Sequence, residues 1–553
     1  MTVWQFIEKV HSDMKITISS GKATRFMHQA RKMIEVDLVR QYKRLQDYRA
    51  EILRSNPGST VVLSTHRLTD GTNKFKGIYI AYEACKISFK RHCRRLVGLD
   101  GCHLKGQAKG ILLTAVGLDP NDQIFPIAHA VVHIENTEIW TWFLGLLVMD
   151  LEITDSSKWT FISDKQKGLI AAMRACVEHA EHRMCVWHMH NNFKKQFPSS
   201  KLKDKIWEAA RATNTYGFDE VLLEIKNQSQ GAYKWLMEHT RKENWSRAFF
   251  GFDAKCDILV NNISKCYNKV LLFARQKPLY AMLECIRMYL MDRFTTRRKM
   301  GAKMEDVFGP KIRKKLEKAK QKMGECMVRE ASEWIYQVNT ARDEQFSVNL
   351  RERTCSCRRW MLTGIPCPHA IAAIETTSEN VDSFVSNIYC KATFQQVYAP
   401  IIYPVLGPQV WKRTEYPDIV PPEITKLSGR PKGARQKTVE ETRQITRAKA
   451  RAARKVHVRE QGDGFMTMSR KELMSDYKCR LYGAVGHNKR SFRERQSAAS
   501  TSNPKPTPGK KQKRSEEQPK CALCRQPGHN RARCMSAIAD MYANPASSAT
   551  GDN

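Results

Sequence analysis

Apolar positions along the first 60 residues recur near helical spacing in FMHQARKMIEVDLVRQYKRLQDY and stop at Asn56-Pro57-Gly58, which predicts a helical N-terminal segment over 1–60. The pattern then changes. RRLVGLDGCHL, GILLTAVGLD and FPIAHAVVHI are short apolar runs bounded by Gly, Pro and Asp, as expected of three buried strands. EIWTWFLGLLVMDL reads as an amphipathic helix, WTFISD as a fourth strand, QKGLIAAMRACVEHA as a helix and RMCVWH as a fifth strand. Strands followed by alternating helices and strands indicate an α/β layer fold. From about 192 to 340 the periodicity is almost wholly helical, with many Lys and Arg. A small Cys-rich module follows at 346–375, where QFSVNLRERTCSCRRW alternates like a hairpin and HAIAAIE begins a helix.

Composition separates a globular part, ending near Pro421, from a tail. The 553 residues carry 93 Lys plus Arg against 56 Asp plus Glu, a formal charge of +37. Between Lys426 and Cys534, 29 basic residues oppose 9 acidic ones, so +20 of that excess lies in about a fifth of the chain. This segment is rich in Gly, Pro, Ser and Gln without apolar periodicity, the composition of a mostly disordered polyanion-binding tail. No run of about 18 apolar residues is present and MTVWQFIEK lacks a basic-then-apolar leader, so neither a membrane span nor a secretory signal is expected. The 17 cysteines cluster beside His late in the chain, which favours thiolate metal sites over a disulfide framework and an intracellular, nuclear setting.

Two Cys/His sets are complete. Cys355, Cys357, Cys367 and His369 form C-x-C-x9-C-x-H, three thiolates and an imidazole that close a tetrahedral structural zinc site. Cys521, Cys524, His529 and Cys534 form a CCHC knuckle of the kind that recognises single-stranded nucleic acid or protein. An upstream copy at 478–493 keeps Cys479 and His487 but has Tyr482 and Phe492 at the other two ligand positions, and two ligands do not hold structural zinc. About two structural zinc ions per chain follow. In the basic linker at 421–475, Gly429-Arg430-Pro431-Lys432 is similar to an AT-hook core, with Arg430 and Lys432 suited to the narrow minor groove of A·T-rich DNA. Lys510, Lys511, Lys513 and Arg514 are further phosphate contacts or part of an import signal.

Asp100 ends the first core strand and Asp164 the fourth, and in open α/β sheets ligands sit outside the carboxyl ends of strands. Two carboxylates there suit a hard divalent cation. The surrounding segments LVGLDGCHLKG, LLTAVGLDPNDQIFPIAHAVV, ENTEIWTWFLGLL, FISDKQKGLI and HRMCVWHMHNNF closely resemble the transposases of plant Mutator-like elements. The resemblance runs through NNISKCYNKVLLFARQKPLYAMLECIR, the Cys-rich module and the tail, over most of residues 25–535. It implies an RNase H-like domain at 90–300 with a large all-α insertion at about 192–255, a helical connector at 301–345, a SWIM-type zinc finger at 346–375 and the knuckle at 519–536. It also implies a DDE triad that cuts and rejoins DNA with Mg²⁺ or Mn²⁺, in which Asp100 and Asp164 match the first two acids. Cys185 and His188 match the family's C-x2-H pair and are possible metal ligands. The N-terminal segment corresponds to the latter part of a longer region that recognises element ends.

The third acid is where this chain departs. The family's Asn-Asn-Ile-Ser-Glu motif here reads Asn261-Asn262-Ile263-Ser264-Lys265. An ammonium at that position opposes metal binding by charge repulsion. The expectation is therefore a transposase-derived nuclear zinc- and DNA-binding protein that does not catalyse transposition, using Mg²⁺ or Mn²⁺ only if it is active. Two alternatives stand beside it: an active transposase whose third acid lies elsewhere, and an adaptor or transcriptional regulator whose zinc modules contact proteins. DNA is the expected partner, no membrane is involved, and an oligomer is compatible with all three readings.

Overall fold

The computed structural model describes residues 3–422 except 15, 107–108 and 342. Three helices open the chain, α1 (Val3–Met14), α2 (Ser20–Lys43) and α3 (Leu45–Ser55). A hairpin follows, β1 (Thr60–Arg67) and β2 (Asn73–Ala81), and then α4 (Glu83–His92). The apolar runs next become β3 (Leu96–His103), β4 (Ile111–Leu118) and β5 (Ile124–Val132). They lead into α5 (Thr137–Asp150), β6 (Thr160–Ser163), α6 (Lys167–Cys176) and β7 (Glu181–Met184).

Strand order is β1-β2-β5-β4-β3-β6-β7. The β1–β2, β2–β5, β5–β4 and β4–β3 pairs are antiparallel, whereas β3–β6 and β6–β7 are parallel. β4 is buried at every residue, which explains its unbroken ILLTAVGL: a central strand covered on both faces has no polar side to alternate with. The parallel β6 and β7 each follow a helix, as crossover connections require. The fifth strand is shorter than RMCVWH suggested. It ends at Met184, and Cys185 starts a helix instead.

Helices α7 (Val186–Gln196), α8 (Ser200–Arg211), α9 (Thr215–Gln228) and α10 (Gln230–His239) build a separate apolar cluster around Phe193, Ile206, Phe218, Leu236 and Trp245. The chain then returns to the sheet as α11 (Asn262–Val270) and α12 (Leu279–Ala302), and leaves through the basic α13 (Pro310–Met323).

The expected helical connector at 301–345 is only half helical, because residues 326–340 form β8 (Cys326–Ser332) and β9 (Ile335–Thr340). β9 alternates only briefly, with Tyr336 and Val338 buried and Ile335 and Gln337 exposed, and β8 is largely exposed, so neither strand carries a long apolar signal. With β10 (Gln345–Asn349) and β11 (Thr354–Cys355) they make a four-stranded sheet ordered β11-β10-β9-β8. Helices α14 (Arg359–Thr363) and α15 (Pro368–Glu375) pack with it around Val338, Val348, Trp360 and Ile371. Finally α16 (Lys391–Tyr398) and β12 (Ile419–Val420) fold back, the latter pairing with β2.

Arg358 ties the small sheet to the helical insertion. Its guanidinium donates to the backbone oxygens of Thr213 at 3.2 Å, Arg247 at 3.3 Å and Phe250 at 2.8 Å, and to that of Ala248.

The linker beyond 422, the AT-hook-like Arg430 and Lys432, the basic Lys510, Lys511, Lys513 and Arg514, the degenerate copy at 478–493 and the knuckle ligands Cys521, Cys524, His529 and Cys534 lie outside the described residues.

Candidate functional site

Parallel pairing of Gly98 with Ile162 sets the register of β3 on β6, and continuing it by two residues brings Asp100, inside β3, alongside Asp164, the residue just beyond β6. Burial, followed by the Asp164 charge, pushes Asp100 up from 3.8 to about 7. The Lys265 ammonium and a 2.8 Å hydrogen bond donated by Asn268 Nδ2 pull in the other direction.

Lys265 and Asn268 share one face of α11, three residues apart, and that face docks directly on β3. Asn261 Nδ2 donates to the Leu99 carbonyl at 2.8 Å, and Ser264 Oγ donates to Asn261 Oδ1 at 2.8 Å. The docking requires Gly98, because a Cβ there would lie 2.8 Å from Ile263 Cδ1 and from Ser264 Oγ. The helix carrying the substituted position thus lies on the strand that carries Asp100, and the lysine charge acts on that carboxyl.

Glu135, which sequence reasoning passed over, joins this group. It stands between β5 and α5, immediately before the N-cap residue Asn136. Trp140 Nε1 donates to its Oε1 at 3.0 Å. A Cβ on Gly101 would come within 2.9 Å of the same oxygen, so the glycine next to Asp100 makes room for it. Burial raises the Glu135 pKa, the Trp140 hydrogen bond opposes this, and Asp164 adds to the rise. The sequence placed Asp100 at the end of its strand, but β3 continues to His103 and Asp100 lies inside it, whereas Asp164 stands just beyond β6 and Glu135 beyond β5.

Cys185 and His188 both lie at the start of α7, where the His188 N–H donates to the Cys185 carbonyl at 3.0 Å. Cys185 is buried and its Sγ accepts the Asn261 backbone N–H at 3.3 Å, a bond that holds the start of α7 to the approach of α11. His188 Nδ1 is buried without a hydrogen-bond partner. Burial, then Lys265, depress its pKa, and Asp164 raises it.

The second site is assembled as its spacing implied. Cys355, Cys357, Cys367 and His369 have ligand atoms all within 4.8 Å of one another, and this is the one such metal-capable group among the described residues. Cys355 lies on β11 and Cys357 just beyond it. Cys367 is the N-cap of α15, accepting the Ala370 N–H at 3.4 Å, and Pro368 at the first helical position sets His369 on the first turn. Cys355 Sγ and Cys367 Sγ lie 3.7 and 4.0 Å from His369 Nδ1. Those spacings approach the edge of a zinc tetrahedron, about 3.5–3.8 Å for bonds of 2.0–2.3 Å. Hydrogen bonding from the Cys355 and Cys367 thiols holds Cys357 well below the usual thiol range, toward the thiolate a metal needs. Phe346 stacks on His369 with ring centroids 3.9 Å apart and fixes the imidazole plane. The donor set fits zinc, which would cross-link β11 to α15 and leave no open position for chemistry.

Residues 96–192, which span Asp100, Glu135, Asp164, Cys185 and His188, match the MULE transposase domain. Residues 344–377, which span the cysteine–histidine group, match the SWIM zinc finger. The chain carries both, and together they match the Mutator-like transposase family. No curated protein matches the chain. Among the described residues no helix is long and apolar enough to cross a membrane.

Proposed function

We propose that this transposase-derived zinc protein is a nuclear DNA-binding protein that does not carry out strand transfer. The observation that carries the reading is Lys265, whose ammonium acts on Asp100 from the helix position where the family motif has an acid. Of the three family-motif positions only Asp100 and Asp164 keep a carboxylate for a divalent cation, and the donor set they make with Lys265 does not fit one. Within the sheet, the antiparallel β3, β4 and β5 extended by the parallel β6 and β7, with helices packed on them, support an RNase H-like core. DNA contact is assigned to the basic tail, with Arg430 and Lys432 in A·T-rich minor grooves and Lys510, Lys511, Lys513 and Arg514 on phosphates. The knuckle ligands Cys521, Cys524, His529 and Cys534 account for a second zinc ion.

Glu135 favours a second reading, an active metal-dependent recombinase that uses this glutamate beside Asp100 and Asp164. Incubating the full chain with Mn²⁺ and labelled linear or supercoiled DNA separates the two. Salt-sensitive binding without cleavage is the expected result. Cleavage that disappears in both Asp100→Ala and Glu135→Gln overturns the proposal in favour of the second reading.

A further inference from the structure

Beside the acidic group, three rings follow one another along the surface of α7 and α8. Trp187 and His190 sit one helical turn apart, with centroids 6.4 Å apart and planes 30° from parallel. Trp207 continues the row 5.7 Å from His190.

Cations flank each ring. Lys265 Nζ lies 5.9 Å from the centre of Trp187. The Arg211 guanidinium lies 5.3 Å from the centre of Trp207. Lys194 and Lys203 act on His190, opposed by the acid Asp204.

The row is not fully covered by protein. Trp187 keeps 46% of its surface exposed although a Trp ring is among the largest apolar groups a protein can bury. The His190 Nδ1 atom is enclosed without a hydrogen-bond partner. Flat π-faces alternating with cations form the surface that unpaired nucleotides recognise: bases stack on the rings and phosphates meet the ammonium and guanidinium groups. Duplex DNA offers no free base faces and gains only the phosphate contacts.

We infer that the Trp187–His190–Trp207 row is a stacking platform for unpaired bases of single-stranded DNA. The strand would run from the Asp100–Asp164 edge onto the helical insertion, so Lys265 serves as a phosphate and ring contact. This inference rests on the DNA-binding reading above and adds a structured, strand-selective surface to the basic tail.

The test uses the full zinc-loaded chain, a fluorescent oligothymidine and a duplex of equal length, each titrated at two salt concentrations. Trp187→Ala should weaken single-strand binding by about 5- to 100-fold and leave duplex binding within about twofold. Trp187→Tyr should recover most of the loss, since it restores a ring but not the indole. Thermal melts of both variants report folding, which the exposure of Trp187 predicts to be intact. Equal losses on single strand and duplex, or no loss on the single strand, overturn the platform. Wild-type binding to duplex but not to oligothymidine also overturns it while leaving the DNA-binding reading standing. Binding to neither removes both.

Discussion

Replacing Asp100 with Asn isolates the electrostatic cost stored in the acidic group. In the folded chain Asp100 keeps its proton up to about pH 7, whereas the unfolded side chain loses it near 3.8. Between those values the folded state binds more protons, so unfolding free energy falls as pH rises through this window and levels off above it. Each pH unit is worth about 1.4 kcal/mol, and the full interval amounts to about 4 kcal/mol as an upper bound. The substituted amide does not titrate, and its oxygen still accepts from Asn268. The variant should therefore match the parent near pH 4 and exceed it by up to about 4 kcal/mol at pH 8, the attraction to Lys265 being already contained in the Asp100 shift. Urea titrations at pH 5, 6 and 8 with zinc present, read by exchange of β3 and β4 amides, measure the difference. A gap that does not change with pH, or an Asp100→Asn variant less stable than the parent at pH 8, refutes the account of Asp100 as a buried, charge-crowded acid.

Two further outcomes concern metals. Lys265→Glu converts the repulsive neighbour into a third carboxylate and should yield Mn²⁺ binding, detected by electron paramagnetic resonance, that the parent lacks. The absence of any gain would show that Lys265 is not what opposes the ion. For zinc, the full chain should hold about two equivalents, falling by one in Cys357→Ser/Cys367→Ser and by the other in Cys521→Ser/Cys524→Ser. Chelation should deprotect amides over residues 344–377 while β3, β4 and β6 stay slow, because the two regions have separate apolar clusters. Unchanged protection at 344–377 would mean that the small sheet does not depend on metal.

The central strands were legible because burial on both faces writes itself as uninterrupted apolar runs, and β4 is the clearest case. The β1–β2 hairpin was not. β1 is mostly half-buried or exposed, and TVVLSTHR mixes polar and apolar residues accordingly. The zinc ligands were legible from spacing alone, since C-x-C and C-x-H each lie within one turn or hairpin and only one long gap has to close. The acidic group was legible only in part. Asp100, Asp164 and Lys265 could be placed through a family motif, but Glu135 acts on Asp100 through the three-dimensional meeting of β3 with the start of α5, which no local spacing records. Asn268 escaped notice for the same reason. It stabilises Asp100 across 168 positions of sequence.

Arg358 has a bearing on how the polypeptide matures. The carbonyls it gathers between Thr213 and Phe250 are made more than a hundred residues before it, the Ala248 contact spanning 110 positions. During synthesis the insertion must therefore leave the ribosome with those oxygens served by water. It acquires its final clamp only after the cysteine-rich segment has emerged, so the last step in shaping the insertion waits on a residue outside it.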